Sequence, residues 1–454
     1  MRKMRAWIAI PVLVLALVLV ACGNSTSSTD SSVDSAGATE DSSSVAIGKD
    51  KPSLNSSGGD ADISALPTLN AKLPTGSLVQ LRQVDEPVQL SEAETERVDR
   101  AIRAYTPPAD DSLLINKAKS FYYYDQLKGD AKSTYEALAQ LYNDPTNDDV
   151  FFMVELKKNE DPKEFENQVM LAYLAIQYDH PEFFWSYNGL ETDIVVGQPH
   201  GSTNSYVFYL EKPYKRYKKE MKAFNKATEE FLADIDPSQS DSQIAQAIHD
   251  KLIKTVTYDY DVAEGEENDL AHTAYGALVK NSSGDEHHAV CDGYAQAFVY
   301  LLQQMGINAA VAVGNAGTDD ANMGGHAWAV VELDGDWYEV DSTWDDQEDQ
   351  WLEAIAEVKE ADPENAALPY YEKAFNDEQY VNRIEHYLYN VTTDSITNYQ
   401  PSEDLLYTFD DGNQLQIIKP SFHRRFTEDE DASFGALMKL APEATGTKYA
   451  FDAS

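Results

Sequence analysis

The 454-residue sequence predicts an α+β protein, and three features carry that expectation. A helix opens at Cys291, an antiparallel hairpin follows over His326–Asp341, and a mainly helical stretch with some strand precedes both over 85–235. The content is 43% hydrophobic and 11% aromatic, that of a globular protein. The length leaves room for about three domains of ordinary size.

Charge and cysteine count exclude several classes. The chain holds 78 Asp plus Glu against 35 Lys plus Arg, a net charge of −43. A surface that acidic repels nucleic acid and anionic head groups, so no nucleic-acid partner is expected. Two cysteines cannot build a disulfide scaffold or a multi-cysteine metal site, and no cofactor or metal is expected.

The chain starts with a positive region, Arg2, Lys3 and Arg5, and an apolar run from Trp7 to Ala21. That run is too short and too near the terminus for a membrane-spanning helix, and 1–21 reads as a signal peptide. It ends Leu19-Val20-Ala21-Cys22-Gly23, which resembles a bacterial lipobox. The resemblance implies lipidation at Cys22 and a membrane anchor on the extracytoplasmic face; an ordinary secretory signal is the alternative. Residues 22–80, rich in Ser, Asp and Thr, lack apolar periodicity and read as a disordered tether.

Order is expected from near Leu78. The first helix spans Ser91 to Tyr105, with Ser91 as N-cap, Glu94 completing a capping box and Pro107 beyond its end. Phe121 to Tyr142 and Phe165 to Tyr178 carry apolar residues at helical spacing, and Asn204 to Leu210 alternates as a strand does. Lys212 to Lys226 holds seven basic residues, but Tyr217, Met221, Phe224 and Thr228 share one helical face. The lysines then form the solvated side of an ordinary amphipathic helix.

A catalytic domain is expected over 236–400. Its first helix runs from Ser242 to about Val256, with Ile244, Ala247, Ile248 and Leu252 inward and His249 structural. A short helical piece covers Ala271 to Lys280. The next helix opens at Cys291 and ends at Gly306. Tyr294, Ala295 and Phe298 lie three, four and seven residues on, within the buried stripe, so the thiol is expected to face the core. The dipole and free N–H groups of a helix start favour the thiolate that a nucleophile requires.

Downstream, two strands flank Asp334-Gly335, a strong two-residue hairpin signal. That register sets Trp328 opposite Asp341 and makes His326 and Asp341 diagonal neighbours on one face. A slip of one residue would separate them. Cysteine at a helix start with His and Asp on a hairpin is the layout of a thiol acyl-transfer triad, with Cys291 as nucleophile, His326 as base and Asp341 as orienting acid. The Cys291 N–H supplies one oxyanion donor. Gly324, Gly325 and Trp328 are the candidate substrate-binding residues.

The run CDGYAQAFVYLLQQMGI, then GGHAWAVV, then WYEVDSTWDD resembles the transglutaminase-like superfamily of papain-like cysteine enzymes. IHDKLIKTVTYDYD and AYGALV resemble the same bacterial core. The resemblance covers roughly 240–346 and implies a transglutaminase-like core, its catalytic helix packed on an antiparallel sheet. Cys291, His326 and Asp341 match its nucleophile, base and acid. Ala329 stands where many bacterial relatives carry Asn.

Other signals are weaker. His287-His288 beside Asp285-Glu286 has the wrong spacing for a metal clamp. Asp345, Asp346, Glu348 and Asp349 match no calcium loop. Trp351 to Glu378 includes an acidic helical stretch, Tyr387 to Thr392 reads as a strand, and 401–454 as short strands over Leu405–Phe409 and Leu415–Ile418 around an Asp411-Gly412 turn. The function expected is acyl transfer on a peptide, protein or cell-wall peptide substrate, by hydrolysis or by transamidation. The alternative is a non-catalytic binding lipoprotein that uses the same fold.

Overall fold

The computed structural model describes residues 87–446, apart from 105–115, 119, 143–148, 157–160, 187–194, 212–216, 264–268, 281–286, 318–322, 347–351, 353–354, 357–358, 366–367, 399–405, 411–413 and 417–421. The expected signal peptide, Cys22 and tether lie outside the described residues, as do Pro107, Asp285-Glu286, Glu348-Asp349 and the Asp411-Gly412 turn.

The N-terminal half mixes helices with a sheet. Strand β1 (Val88–Gln89) leads into α1 (Glu92–Ala104), whose capping box forms as expected: Ser91 N donates to Glu94 Oε2 at 2.8 Å and Glu94 N to Ser91 Oγ at 3.3 Å. The helical spacing over 121–142 belongs to two helices, α2 (Tyr122–Gln126) and α3 (Gly129–Tyr142). The break falls where Gly129 takes φ +55°, a conformation open to glycine at little cost. Next come β2 (Asp149–Glu155), α4 (Pro162–Asp179), β3 (Val195–Gln198), β4 (Ser205–Glu211) and α5 (Tyr217–Leu232). The strands form a sheet ordered β1-β3-β4-β2. In α5, Met221, Phe224 and Thr228 are buried while Lys219, Lys222 and Lys226 are exposed, so the basic stretch is the wet side of an amphipathic helix.

The second half starts with α6 (Asp241–Ile253), capped by Ser240 and Gln243, then β5 (Val256–Tyr258), α7 (Tyr260–Ala263), α8 (Ala274–Leu278) and β6 (His287–Ala289). Helix α9 (Cys291–Gln304) follows, and every residue from Asp292 to Gln304 is buried. It packs on β7 (Ala309–Gly317) and β8 (Met323–Leu333), which with β9 (Asp336–Val340) build an antiparallel sheet. The hairpin register is the expected one, Ala329 opposite Val340 and Leu333 opposite Asp336. Asp334 and Gly335 take φ 54° and 90°, positive at both turn positions, which is why Asp-Gly serves there.

Beyond the hairpin lie α10 (Ser342–Asp345), α11 (Leu368–Phe375), α12 (Glu378–Ile384) and α13 (Thr393–Thr397). The strand expected over Tyr387–Thr392 is absent: only a single bridge joins Glu339 and Val391, and Asn390 takes φ 53°. Tyr387, Leu388 and Tyr389 are all buried, so burial rather than strand pairing explains their apolar run. After β10 (Leu406–Thr408) and β11 (Gln414–Gln416), β12 (Phe422–Arg425) adds to the edge of β7, and α14 (Ala432–Met438) reaches back to α4.

One core runs through both halves without a break at 235/236. The Tyr123 hydroxyl donates to the Val311 carbonyl, Gln303 Nε2 donates to the Asp179 carbonyl at 3.2 Å, and Phe184 meets Tyr275 at 4.7 Å between ring centroids.

Candidate active site

Val290 is the N-cap of α9 in an extended conformation, with no side-chain cap, and Cys291 is the first helical residue. Its N–H therefore has no partner within the helix. Contrary to the expected core-facing thiol, Cys291 is partly exposed, the one residue of α9 that is not buried. At a helix start the buried stripe runs out, and here it runs out over the face of the sheet that carries His326.

His326 lies on β8 with its side chain 7% exposed, and its Nε2 meets Asp341 Oδ2 at 2.7 Å. Cys291 lies near enough to the same ring to favour its cation. Asp341 follows the end of β9 and caps α10: its Oδ1 accepts from Thr343 N and Trp344 N, both at 3.1 Å. Its own N–H donates to the Leu388 carbonyl at 3.2 Å, so backbone and side chain are both fixed. The structure thus brings Cys291, His326 and Asp341 into one chain of contacts.

The electrostatics match this order. Burial opposes the His326 cation, but the Asp341 carboxylate, and then Cys291, outweigh it and raise the ring to about 10. Burial also opposes the Asp341 charge, yet His326 and then His423 hold the carboxyl well below its usual range. An imidazolium held by a carboxylate beside a cysteine is the arrangement that can activate that cysteine as a nucleophile.

Three candidates differ in placement. Gly325 is exposed, with nothing within 4 Å of where a Cβ would stand, and Gly324 is half-buried beside it. Both precede His326 on β8. Trp328, expected to touch substrate, is instead buried at 1% exposure and donates its indole N–H to Glu339 Oε2 at 2.6 Å. It lies in the wall behind His326, with its ring centroid 6.1 Å away.

Sequence reasoning missed His423. It lies on β12, fully buried, with Nε2 2.6 Å from Asp341 Oδ2. Nor was Arg425 foreseen, two residues on, which reaches Glu339 Oε1 at 2.5 Å. The short FHRRF run carries only a weak alternation to signal it.

Among the described residues two groups gather donor atoms within 4.8 Å, His249 with Asp250 and His386, and His326 with Asp341 and His423. In both, the carboxylate already accepts from the two rings, at 3.2 and 2.8 Å in the first and 2.7 and 2.6 Å in the second. Shared protons account for both arrangements. His249 is fully buried, as its structural reading requires.

A family model of the transglutaminase-like superfamily matches residues 229–342. Among solved structures, the chain is similar to a TGase at 17% identity, covering 42% of this chain and 50% of that one, with a TM-score of 0.22. It is also similar to a candidate cysteine protease from Cytophaga hutchinsonii at 16% identity, covering 34% of this chain and 62% of that one, with a TM-score of 0.20. The chain therefore spans less than two thirds of either structure. No curated protein matches it. With a helix-borne cysteine against a His- and Asp-bearing antiparallel sheet, residues 229–342 are a domain of the transglutaminase-like superfamily.

Proposed function

We propose that the protein is a thiol acyl-transfer enzyme acting on peptide or protein amide bonds, as a peptidase or amidase or as a transamidase. The observation that supports it is His326 held by Asp341 Oδ2 at 2.7 Å, with the part-exposed Cys291 at the start of its helix near enough to favour the His326 cation.

In the first half-reaction the Cys291 sulfur attacks the amide carbon and its oxygen becomes an oxyanion beside the Cys291 N–H. His326 passes the proton to the departing nitrogen, the C–N bond breaks, and a thioester remains on Cys291. In the second, His326 takes a proton from water or a primary amine, which attacks the thioester and frees the thiolate. Water gives hydrolysis; an amine gives a new amide. Asp341 keeps its charge throughout and balances the imidazolium.

In this reading the protein is anchored through lipid on Cys22 at the extracytoplasmic face of the cell membrane, and its substrate is a peptide, a protein or a cell-wall peptide. No helix among the described residues is long and apolar enough to cross a membrane. Cys22→Ser should move the protein out of the membrane fraction.

The test of function is iodoacetamide labelling of Cys291 in the full-length chain at pH 6, read on its own peptide by mass spectrometry. His326→Ala should slow labelling by roughly a hundredfold, the scale of general-base assistance. A glutamine peptide with a labelled amine then separates amine incorporation from deamidation or cleavage. Equal, slow labelling of wild type and His326→Ala would reject the mechanism.

A further inference from the structure

His423 is a buried histidine from the far end of the chain whose hydrogen bond goes to the carboxylate that orients His326. We propose, resting on the acyl-transfer reading above, that His423 is a positioning residue of the reaction. Its Nε2–H shares Asp341 Oδ2 with His326 and so sets how much carboxylate charge His326 feels. The segment carrying β12 is then part of the active site.

The direction of the bond follows from the partners. Asp341 is ionised and can only accept, so the proton lies on His423 Nε2. Burial pushes the His423 cation down, Asp341 opposes that, and the neighbouring His326 adds to the depression. The ring is therefore a neutral donor. Its Nδ1 is buried with no hydrogen-bond partner among the described residues. A residue that only filled space here would carry no such unpaired atom, and an apolar ring would serve better.

The ring is also held in place. Trp328 and Trp344 pack edge-on against it at 5.0 and 4.9 Å between centroids. Pairing sets His423 opposite Ala316 and Arg425 opposite Gly314, and Gly314 opposite His326, so all share one face of the sheet. On that face β7 offers only Ala310, Ala312, Gly314 and Ala316. Small residues leave the depth through which His423 reaches Asp341 and Arg425 reaches Glu339, side chains that the sequence spaces two apart on each strand.

Without the His423 donor more of the Asp341 charge falls on His326, the Thr343 and Trp344 N–H groups still sharing the rest. That added negative charge offsets more of the imidazolium's positive field at the Cys291 sulfur, and thiolate formation moves to higher pH. The experiment is the pH profile of Cys291 alkylation between pH 5 and 9 in the full-length chain, with thermal unfolding of each variant alongside. His423→Gln, whose amide N–H can reach Asp341, should stay within about threefold of wild type. His423→Phe fills the space without the donor and should move the thiolate limb up by about one pH unit, a roughly tenfold loss of rate at pH 6, as expected when part of a hydrogen bond to a charged group is transmitted. A merely structural residue would change the folded fraction and leave the limb where it is. Should the phenyl ring prevent folding, His423→Asn, whose amide is too short to reach, repeats the test with the same expected shift. A fast wild type and an unmoved limb in the donor-less variants overturn the His423 role alone. Equal, slow labelling of wild type and His326→Ala overturns the acyl-transfer reading and, with it, this role.

Discussion

Gly314→Ala is the substitution that most severely strains the seat of β12. A Cβ there would stand 1.9 Å from the Arg424 carbonyl oxygen and 2.7 Å from both the Arg424 carbonyl carbon and the Arg425 Cα. All three are backbone atoms, so no side chain can swing aside. Restoring the 3.4 Å of ordinary contact requires β12 to retreat by about 1.5 Å. The His423–Asp341 bond, 2.6 Å in the native arrangement, cannot stretch that far and survive. Overpacking costs about 1–3 kcal/mol, and each lost hydrogen bond to a charged group about 1.5–3 kcal/mol. A loss of about 3–5 kcal/mol is expected in urea unfolding at pH 7, with faster amide exchange over 422–426. Gly325→Ala is the control, since its Cβ meets nothing within 4 Å, and it should stay within about 0.5 kcal/mol. A Gly314→Ala protein with native stability and native Cys291 reactivity would refute the close seating of β12.

Three further outcomes follow from the same contacts. Trp328→Phe removes a donor from Glu339, which is fully buried, and should cost about 1–3 kcal/mol in thermal unfolding; unchanged stability with a raised KM would instead restore a substrate role. His326 is raised to about 10 in the fold, so its pairing stabilises fully below its ordinary value of about 6.5 and is lost as pH climbs through 10. The stability advantage of wild type over His326→Ala should therefore shrink from pH 6 to pH 10; an advantage that grows over that range contradicts the pairing. Tyr123→Phe removes the hydroxyl that donates to the Val311 carbonyl and should cost about 1–2 kcal/mol in urea unfolding, whereas no change would mean the N-terminal half contributes nothing at that point.

The hairpin is legible in the sequence because its signals are local: an Asp-Gly turn and strands whose register follows from counting outward. Helices α6 and α9 are legible for the same reason, from caps and apolar stripes. The exposure of Cys291 is not, because helical periodicity says which side of a helix is buried but not where along its axis the covering layer ends. Tyr387-Leu388-Tyr389 is apolar without alternation, a pattern that strand and buried irregular chain share. His423 is the hardest to foresee. It comes 82 residues after Asp341, and only the docking of β12 on β7, a pairing of distant segments, brings the two together. The absence of bulk from β7 is visible in Ala310-Val311-Ala312-Val313-Gly314, but what would fill the space is not.

Acyl transfer through Cys291 requires a thioester there, and an activated ester tests for it without knowledge of the natural substrate. Full-length protein mixed with p-nitrophenyl acetate should release a burst of nitrophenolate equal to the enzyme present, with an acetyl group on the Cys291 peptide that hydroxylamine removes. His326→Ala should lack the burst. Acetylation spread over lysines, with Cys291 unmodified or equally modified in both proteins, would contradict a His326-assisted thioester at Cys291.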